Sequence, residues 1–185
     1  MEKRFSSLIE LEQSIQGCKK CCLADGRTHI VFGAGATNAR VLIIGEAPGK
    51  NEDLQGEPFV GAAGKYLNEL LVHAGLSREE VYIANVIKCR PADNRNPRPE
   101  EIQACSPYLR AQARLVNPDF IVTLGNFSTK FILKTEVGIT NLRGSIHQAG
   151  RFKVFPVFHP AAAIYDRSKR DTLEADFKKL GQLLG

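Results

Sequence analysis

Apolar residues recur along the chain in two patterns, one typical of buried strands and the other typical of amphipathic helices. Short continuous apolar runs predict strands over residues 40–45, 81–88, 118–125 and 152–158. Apolar residues three or four positions apart predict helices over residues 5–16, 61–76, 126–134 and 168–184, and another that starts near Pro99 and carries Cys105. Strands that alternate with helices indicate a parallel sheet covered by helices on both faces.

Length and composition fit a single domain over residues 1–185, with an ordinary 43% of hydrophobic residues. No apolar run approaches the roughly 18 residues of a membrane span, and the N-terminal residues lack the apolar stretch of a signal peptide. We therefore expect a cytoplasmic protein without membrane association. The net charge of +5 favours polyanionic partners such as nucleic acid, although scattered solvated charge explains it equally well.

The five cysteines are unevenly distributed. Cys18, Cys21 and Cys22 form a tight group, whereas Cys89 and Cys105 lie far downstream. An odd number of cysteines in a chain of cytosolic type argues against a disulfide framework. A C-x2-C pair with two later cysteines is typical of four-thiolate sites for zinc or an iron–sulfur cluster, and buried unligated thiols are the alternative.

Several residues suited to ligand binding follow the predicted strands, and parallel sheets bind ligands at the carboxyl ends of their strands. The amide of Asn85 can both donate to and accept from a nucleobase edge, Phe59 can stack on a ring, and His159 can stabilise a developing anion. Each of these residues alone also fits a structural role. The glycine-rich loop 45–61 lacks the phosphate-binding fingerprints. The loop also carries four carboxylates that would repel a triphosphate, so a neutral ligand is favoured. They are Glu46, Glu52, Asp53 and Glu57.

Three segments carry a family resemblance: GEAPGKNEDLQGEPFVGAAGKYLNELL, NVIKCRP and HPAAA. They resemble the signature segments of the family 4 uracil-DNA glycosylases, the iron–sulfur branch of the uracil-DNA glycosylase superfamily. The resemblance covers the chain from about Cys18 to the last helix, and it implies an α/β fold, a three-layer α/β/α sandwich with a central four-stranded parallel sheet. It also implies hydrolysis of the N-glycosidic bond of a flipped uracil, which leaves an abasic site and initiates base excision repair.

The resemblance implies particular roles for particular residues. Phe59 stacks on uracil, and Asn85 reads the base edge that carries N3 and O4, where cytosine has its donor and acceptor reversed. His159 supports negative charge at O2, and the backbone amides of Glu46 and Ala47 lie near the same atom. A four-iron, four-sulfur (4Fe-4S) cluster is held by Cys18, Cys21, Cys89 and Cys105. Cys22 has no counterpart in that set and is treated as a spare thiol.

The sequence does not identify a single residue that positions the attacking water. The best-known branch of the superfamily uses an aspartate where this chain has residues 46–49, and no aspartate occurs there. Glu46, Glu52 and Asn94 are the candidates for this role. A related branch traps its product through a histidine after the second strand, whereas residues 90–100 contain no histidine, which favours ordinary turnover.

The expected partner is uracil-containing DNA, single- or double-stranded. Where many relatives have a Leu-Leu-Arg-like wedge that enters the duplex, this chain has Ala163, Ile164 and Tyr165. A weaker wedge favours single strands or a mismatched U·G pair. Phosphate contacts are expected from basic residues near the cysteines, namely Lys19, Lys20, Arg90, Arg95 and Arg98. The chain is expected to act as a monomer and to meet a replication or repair partner.

Two other functions fit the same residues. A damage sensor with this pocket would bind uracil-containing DNA and leave the glycosidic bond intact. A ferredoxin-like redox protein would use the cysteines for electron transfer, although their spacing differs from the compact runs of small ferredoxins.

Overall fold

The computed structural model describes residues 5–185, which form an α/β fold around one sheet. The strands are β1 (Ala34–Gly35), β2 (Val41–Gly45), β3 (Tyr82–Asn85), β4 (Phe120–Leu124), β5 (His147–Ala149) and β6 (Phe152–Val157). The helices are α1 (Leu8–Ile15), α2 (Leu23–Gly26), α3 (Lys50–Gln55), α4 (Ala62–His73), α5 (Pro99–Val116), α6 (Gly125–Leu133), α7 (Ile139–Leu142), α8 (Pro160–Ile164) and α9 (Arg167–Leu184). Short 3-10 turns occupy Arg78–Glu80 and Ala92–Asn94.

The sheet has the strand order β1-β3-β2-β4-β6-β5 over the described residues. Its centre, β3-β2-β4-β6, is parallel and confirms the predicted four-stranded parallel core. The edge strands β1 and β5 are antiparallel to their neighbours. They escaped prediction because each is short and lacks a continuous apolar run.

The sheet is covered on both faces because its central strands are mostly apolar and contribute buried side chains to both sides. Side chains of a strand alternate between faces, so Leu42 and Ile44 join the cluster of α1 and α5, while Val41 and Ile43 join that of α4 and α9. Both clusters consist of buried aliphatic and aromatic side chains. This arrangement is the predicted three-layer sandwich. Among residues 5–185, no helix is both long enough and apolar enough to cross a membrane.

The predicted strand 81–88 is longer than the observed β3, which ends at Asn85. The chain still runs beside β2, because the amides of Val86 and Ile87 donate to the carbonyls of Gly45 (3.0 Å) and Glu46 (3.2 Å). These bonds hold the segments after β2 and β3 side by side at the carboxyl edge of the sheet. The same edge receives the end of β6, where His159 begins α8.

Helix α5 begins with proline at its first turn, as predicted, since proline there removes no helical hydrogen bond. The Glu101 carboxylate accepts from the backbone N–H of Arg98 (2.8 Å) and closes the start of the helix. The glycine-rich loop holds an unpredicted short helix, α3, that ends at Gly56 with a left-handed φ of 75°. Glycine is favoured there because it has no Cβ to clash in that conformation.

Candidate active site

A cavity of about 560 Å³ opens at the carboxyl edge of the sheet. Its walls come from the segments that follow β2, β3 and β6 and from the loop before α4. It brings together every residue predicted for catalysis or base binding, namely Glu46, Ala47, Glu52, Phe59, Asn85, Asn94 and His159. The sequence-based placement of these residues around one cavity is therefore correct, while their chemical roles stay predictions.

Asn85 presents an unpaired acceptor to this cavity. The residue is 2% exposed, and its Oδ1 has no hydrogen-bond partner within the described chain. Gly45 lies directly opposite on β2: a Cβ there would come within 2.4 Å of Asn85 Oδ1 and 2.8 Å of the Phe59 ring. Glycine is thus required at position 45 because only its missing side chain leaves room for the amide and the ring.

Phe59 has a strained backbone, with a φ of 53° that non-glycine residues rarely adopt. Arg78 holds the segment in place by donating from Nη1 to the carbonyl oxygen of Phe59 (3.1 Å) and from Nη2 to that of Pro58. Gly64 lets α4 approach, since a Cβ there would lie 1.8 Å from the Phe59 oxygen. Sequence reasoning missed Arg78, because it comes from another part of the chain and carries no local motif.

The tautomer of His159 follows from its cap on α8. Its Nδ1 accepts a hydrogen bond from the Ala161 amide (3.1 Å), so in the neutral ring the proton resides on Nε2. Burial lowers the pKa of His159 to about 4, although the Glu52 carboxylate opposes that shift. At neutral pH the ring is therefore an uncharged donor through Nε2. Its centroid lies 5.8 Å from that of Phe59.

The candidates for water positioning differ in their hydrogen bonds. Glu52 Oε1 accepts from the amides of Val60 and Gly61, both at 3.0 Å, and so braces the loop that carries Phe59. Asn94 Oδ1 accepts from the Arg90 Nε at 2.8 Å. The Glu46 carboxylate has no such partner among residues 5–185, and burial raises its pKa. Glu46 therefore has both carboxylate oxygens free of hydrogen bonds from the described residues, whereas one oxygen of Glu52 is engaged.

The four cysteines predicted as ligands line a second cavity between α1, α5 and the segment after β3. Hydrogen-bond donors surround their sulfurs: Tyr108 Oη lies 3.7 Å from Cys18 Sγ, Arg27 Nη1 donates to Cys89 at 3.6 Å, and the Lys88 amide donates to Cys105 at 3.3 Å. No three His, Cys, Asp or Glu side chains in the described chain form a ready single-ion site. The fit to a metal cofactor rests on the shared cavity and on these donors, which suit thiolate sulfur.

Cys22 lies outside this set, as predicted. Its thiol donates to Glu101 Oε1 at 3.4 Å. Both carboxylate oxygens of Glu101 are also bound by the Arg95 guanidinium, at 2.6 and 3.0 Å, and this ion pair holds the pKa of Glu101 down at about 2. Arg95 therefore anchors the loop to α5, and its predicted contact with DNA stays a prediction.

The remaining residues predicted to touch DNA lie near the mouth of the main cavity or on the surface. Arg98 is exposed and Arg90 is partly exposed, since it pairs with Asn94. Beyond His159, α8 ends at Ile164 and is followed by Tyr165, and these two residues are 42% and 93% exposed. Their predicted contact with DNA stays a prediction.

Comparison with known proteins agrees with this geometry. The model of the uracil DNA glycosylase superfamily matches residues 32–184. A type-4 uracil-DNA glycosylase of Archaeoglobus fulgidus is 44% identical over 98% of this chain and 95% of its own, and one of Sulfurisphaera tokodaii is 46% identical over 97% and 86%. The solution structure of a uracil DNA glycosylase homologue from Methanosarcina acetivorans covers 83% of this chain and 98% of its own with a TM-score of 0.53, and at 15% identity it supports the fold alone. The chain belongs to the uracil DNA glycosylase superfamily, within the type-4 uracil-DNA glycosylases.

Proposed function

We propose that this protein is a uracil-DNA glycosylase, a hydrolase that releases uracil from DNA and leaves an abasic site. The observation that carries the proposal is the unpaired Oδ1 of Asn85, buried at the floor of the cavity. A buried acceptor without a partner is costly, and a ligand that brings a donor removes that cost. Uracil brings such a donor, its N3–H, with the O4 acceptor next to it.

The same amide explains discrimination between bases. Asn85 Oδ1 accepts from N3–H of uracil while its Nδ2 donates to O4. Cytosine presents an acceptor at N3 and a donor at N4, so Oδ1 would meet an acceptor and Nδ2 would meet a donor. Phe59 supplies the face on which the flipped base stacks, and Gly45 provides the space between the two side chains.

The proposed reaction is hydrolysis of the glycosidic bond, assisted by residues around the base. The C1′–N1 bond breaks, its electron pair moves onto uracil, and water oxygen forms the new bond to C1′. The Nε2–H of neutral His159 donates to O2, where the charge develops, and the backbone amides of Glu46 and Ala47 assist. We assign the positioning of the water and removal of its proton to Glu46, because Glu52 and Asn94 are already bonded within the loops.

DNA binding is assigned to the surface around the cavity mouth. We expect Arg90 and Arg98 to meet phosphates, and Ile164 and Tyr165 to fill the gap left by the flipped nucleotide; the exposure of these side chains supports this assignment. Because the contacts to phosphate are ionic, affinity is expected to fall as salt rises. The proposal places the protein in the cytoplasm. It also makes the protein a monomer, and size-exclusion chromatography with light scattering tests that oligomeric state directly.

The cysteine cavity is assigned to a 4Fe-4S cluster held by Cys18, Cys21, Cys89 and Cys105. When bound, such a group would supply a rigid link through four thiolates between three segments: the N-terminal segment, the turn after β3 and α5. Iron and acid-labile sulfide should both be found in protein purified without oxygen, with a brown colour. A colourless protein that contains zinc alone would overturn this assignment.

The activity is tested by release of free uracil from matched oligonucleotides. Wild-type protein should release uracil from single strands and from U·G and U·A duplexes without added cofactor, and should leave cytosine and thymine in place. Selective binding of uracil-containing DNA with no base released would instead identify a damage sensor. Asn85→Ala is the informative variant, since it should slow base release sharply, to a rate still measurable in single turnover, while keeping affinity for phosphates.

A further inference from the structure

The side chain of Lys88 is fully buried, outside the base cavity and in the wall of the cysteine cavity, and none of the roles assigned above uses its ammonium group. It is 1% exposed and follows β3 on the segment that leads to Cys89. Its Nζ donates to the backbone carbonyl of Asn85 at 2.8 Å and to Gln112 Oε1 at 2.6 Å. Lysine is among the residues least often fully buried, so its presence here calls for a function that an apolar residue would not provide.

The partner of Lys88 on α5 is itself fixed. Gln112 is 0% exposed, and its Nε2 donates to the Phe32 carbonyl at 2.8 Å and to the Tyr82 hydroxyl at 3.2 Å. Lys88 therefore joins the end of β3 to a residue that α5, β3 and the segment before β1 hold in place. Such a buried hydrogen-bonded network favours one arrangement of its members.

The Asn85 side chain depends on its backbone for orientation. Its Oδ1 has no partner in the described chain, so no hydrogen bond to that atom fixes the amide before the base arrives. What is fixed is the peptide carbonyl of the same residue, at the point where β3 ends and regular pairing stops. A small rotation of that peptide would swing the amide away from the base edge.

We propose that Lys88 is the positioning residue for Asn85: by holding the Asn85 carbonyl against Gln112, it aims the amide at the base. The proposal rests on the proposed function, since it concerns how that base is read. The Lys88 amide also donates to Cys105 Sγ at 3.3 Å, so the same residue ties the base-reading strand to the cysteine cavity. Lys88 thus connects the two sites of the fold.

A double-mutant cycle on the full chain tests this role. Lys88→Met removes the donor at similar volume. Gln112→Met removes the second anchor of Nζ together with the bonds of Gln112 to Phe32 and Tyr82, but leaves the bond from Lys88 to Asn85. Single-turnover release of uracil from a single-stranded oligonucleotide should slow by about tenfold in Lys88→Met, and by less in Gln112→Met. In the Asn85→Ala background both effects should shrink to less than about twofold, because the residue that Lys88 positions has no amide left.

The control is Thr123→Val, which breaks the buried bond between the Thr123 and Thr129 hydroxyls (2.8 Å) without touching Asn85. It should lower the melting temperature while leaving the rate unchanged, which separates positioning from general stability. If Lys88→Met slows release equally in the wild-type and Asn85→Ala backgrounds, the proposal is overturned. If Lys88→Met does not fold, equal slowing by Gln112→Met in the two backgrounds overturns it instead. A wild-type protein that releases no uracil would instead refute the proposed function.

Discussion

The rings of Phe59 and His159 are neighbours in the wall of the base cavity, with centroids 5.8 Å apart and planes tilted by 30°. They arrive from different parts of the chain, one from the strained loop before α4 and the other from the end of β6. Under the proposed function, Phe59 offers a stacking face, and His159 offers a donor at the edge of the same base. The pair would then define where the uracil ring lies and how it is turned.

Phe59→Leu should weaken base binding more than it changes chemistry. Stacking of a base on an aromatic side chain contributes about 1–3 kcal/mol, so the apparent KM should rise by about tenfold or more with a smaller change in kcat. Steady-state release from a uracil-containing single strand measures both constants. A fall in kcat at unchanged KM would show that Phe59 acts on the transition state instead.

Asn85→Leu should remove activity without loss of stability. Leucine has a similar size, and it removes a buried acceptor that has no partner in the described chain, so thermal unfolding should occur at the same or a higher temperature. Tyr82→Phe is the control, because its hydroxyl accepts from Gln112 and its loss should lower the melting temperature. If Asn85→Leu melts well below wild type, Oδ1 is satisfied in the free protein.

His159 should remain neutral far below the ordinary pKa of a histidine. Its pKa is about 4 in the folded chain and 6.5 as the ordinary value, so the folded state binds fewer protons between these limits. The contribution of His159 to the free energy of unfolding therefore falls as pH drops from 6.5 to 4. Ring chemical shifts measured against His159→Gln should show titration of this residue near pH 4. A midpoint near pH 6.5 would contradict the buried neutral ring.

The sequence predicted the site more completely than the groups that support it. Asn85 and His159 follow apolar strands, and strands of a parallel sheet deliver such residues to one edge, so periodicity was sufficient to bring them together. Arg78, Lys88 and Gln112 act through contacts between segments that are distant in the chain, and no local pattern marks those contacts. The edge strands were missed for a related reason, since their pairing with longer neighbours makes them strands.

Glu101→Gln should destabilise the fold in a pH-dependent way. Its pKa is about 2 in the folded chain against an ordinary 4.5, so the ionised carboxylate stabilises the protein above pH 4.5, and this contribution is lost as pH falls toward 2. Denaturant unfolding should show that the free energy of unfolding is lower than that of wild type by about 1–3 kcal/mol at pH 7, and that this difference shrinks below pH 4.5. Asp119→Asn, which breaks an exposed pair with Arg40, should cost less than about 1 kcal/mol. A constant loss at every pH would contradict this role.

Gly45→Ala should abolish base release through a single methyl group. The Cβ would lie 2.4 Å from Asn85 Oδ1 and 2.8 Å from Phe59, closer than atoms approach in folded proteins, so the amide or the ring must leave its place. Gly138→Ala is the matched control, since its Cβ would meet nothing within 4 Å and its φ of −72° suits alanine.

The two glycine variants should differ strongly in the rate of uracil release. Gly138→Ala should keep wild-type rates, whereas Gly45→Ala should lose activity by at least about a hundredfold, because it disturbs both the stacking and the base-reading residue. Near-normal activity in Gly45→Ala would show that neither Asn85 nor Phe59 needs its observed position. That result would remove the geometric basis for reading uracil through this amide, whatever the protein does to DNA.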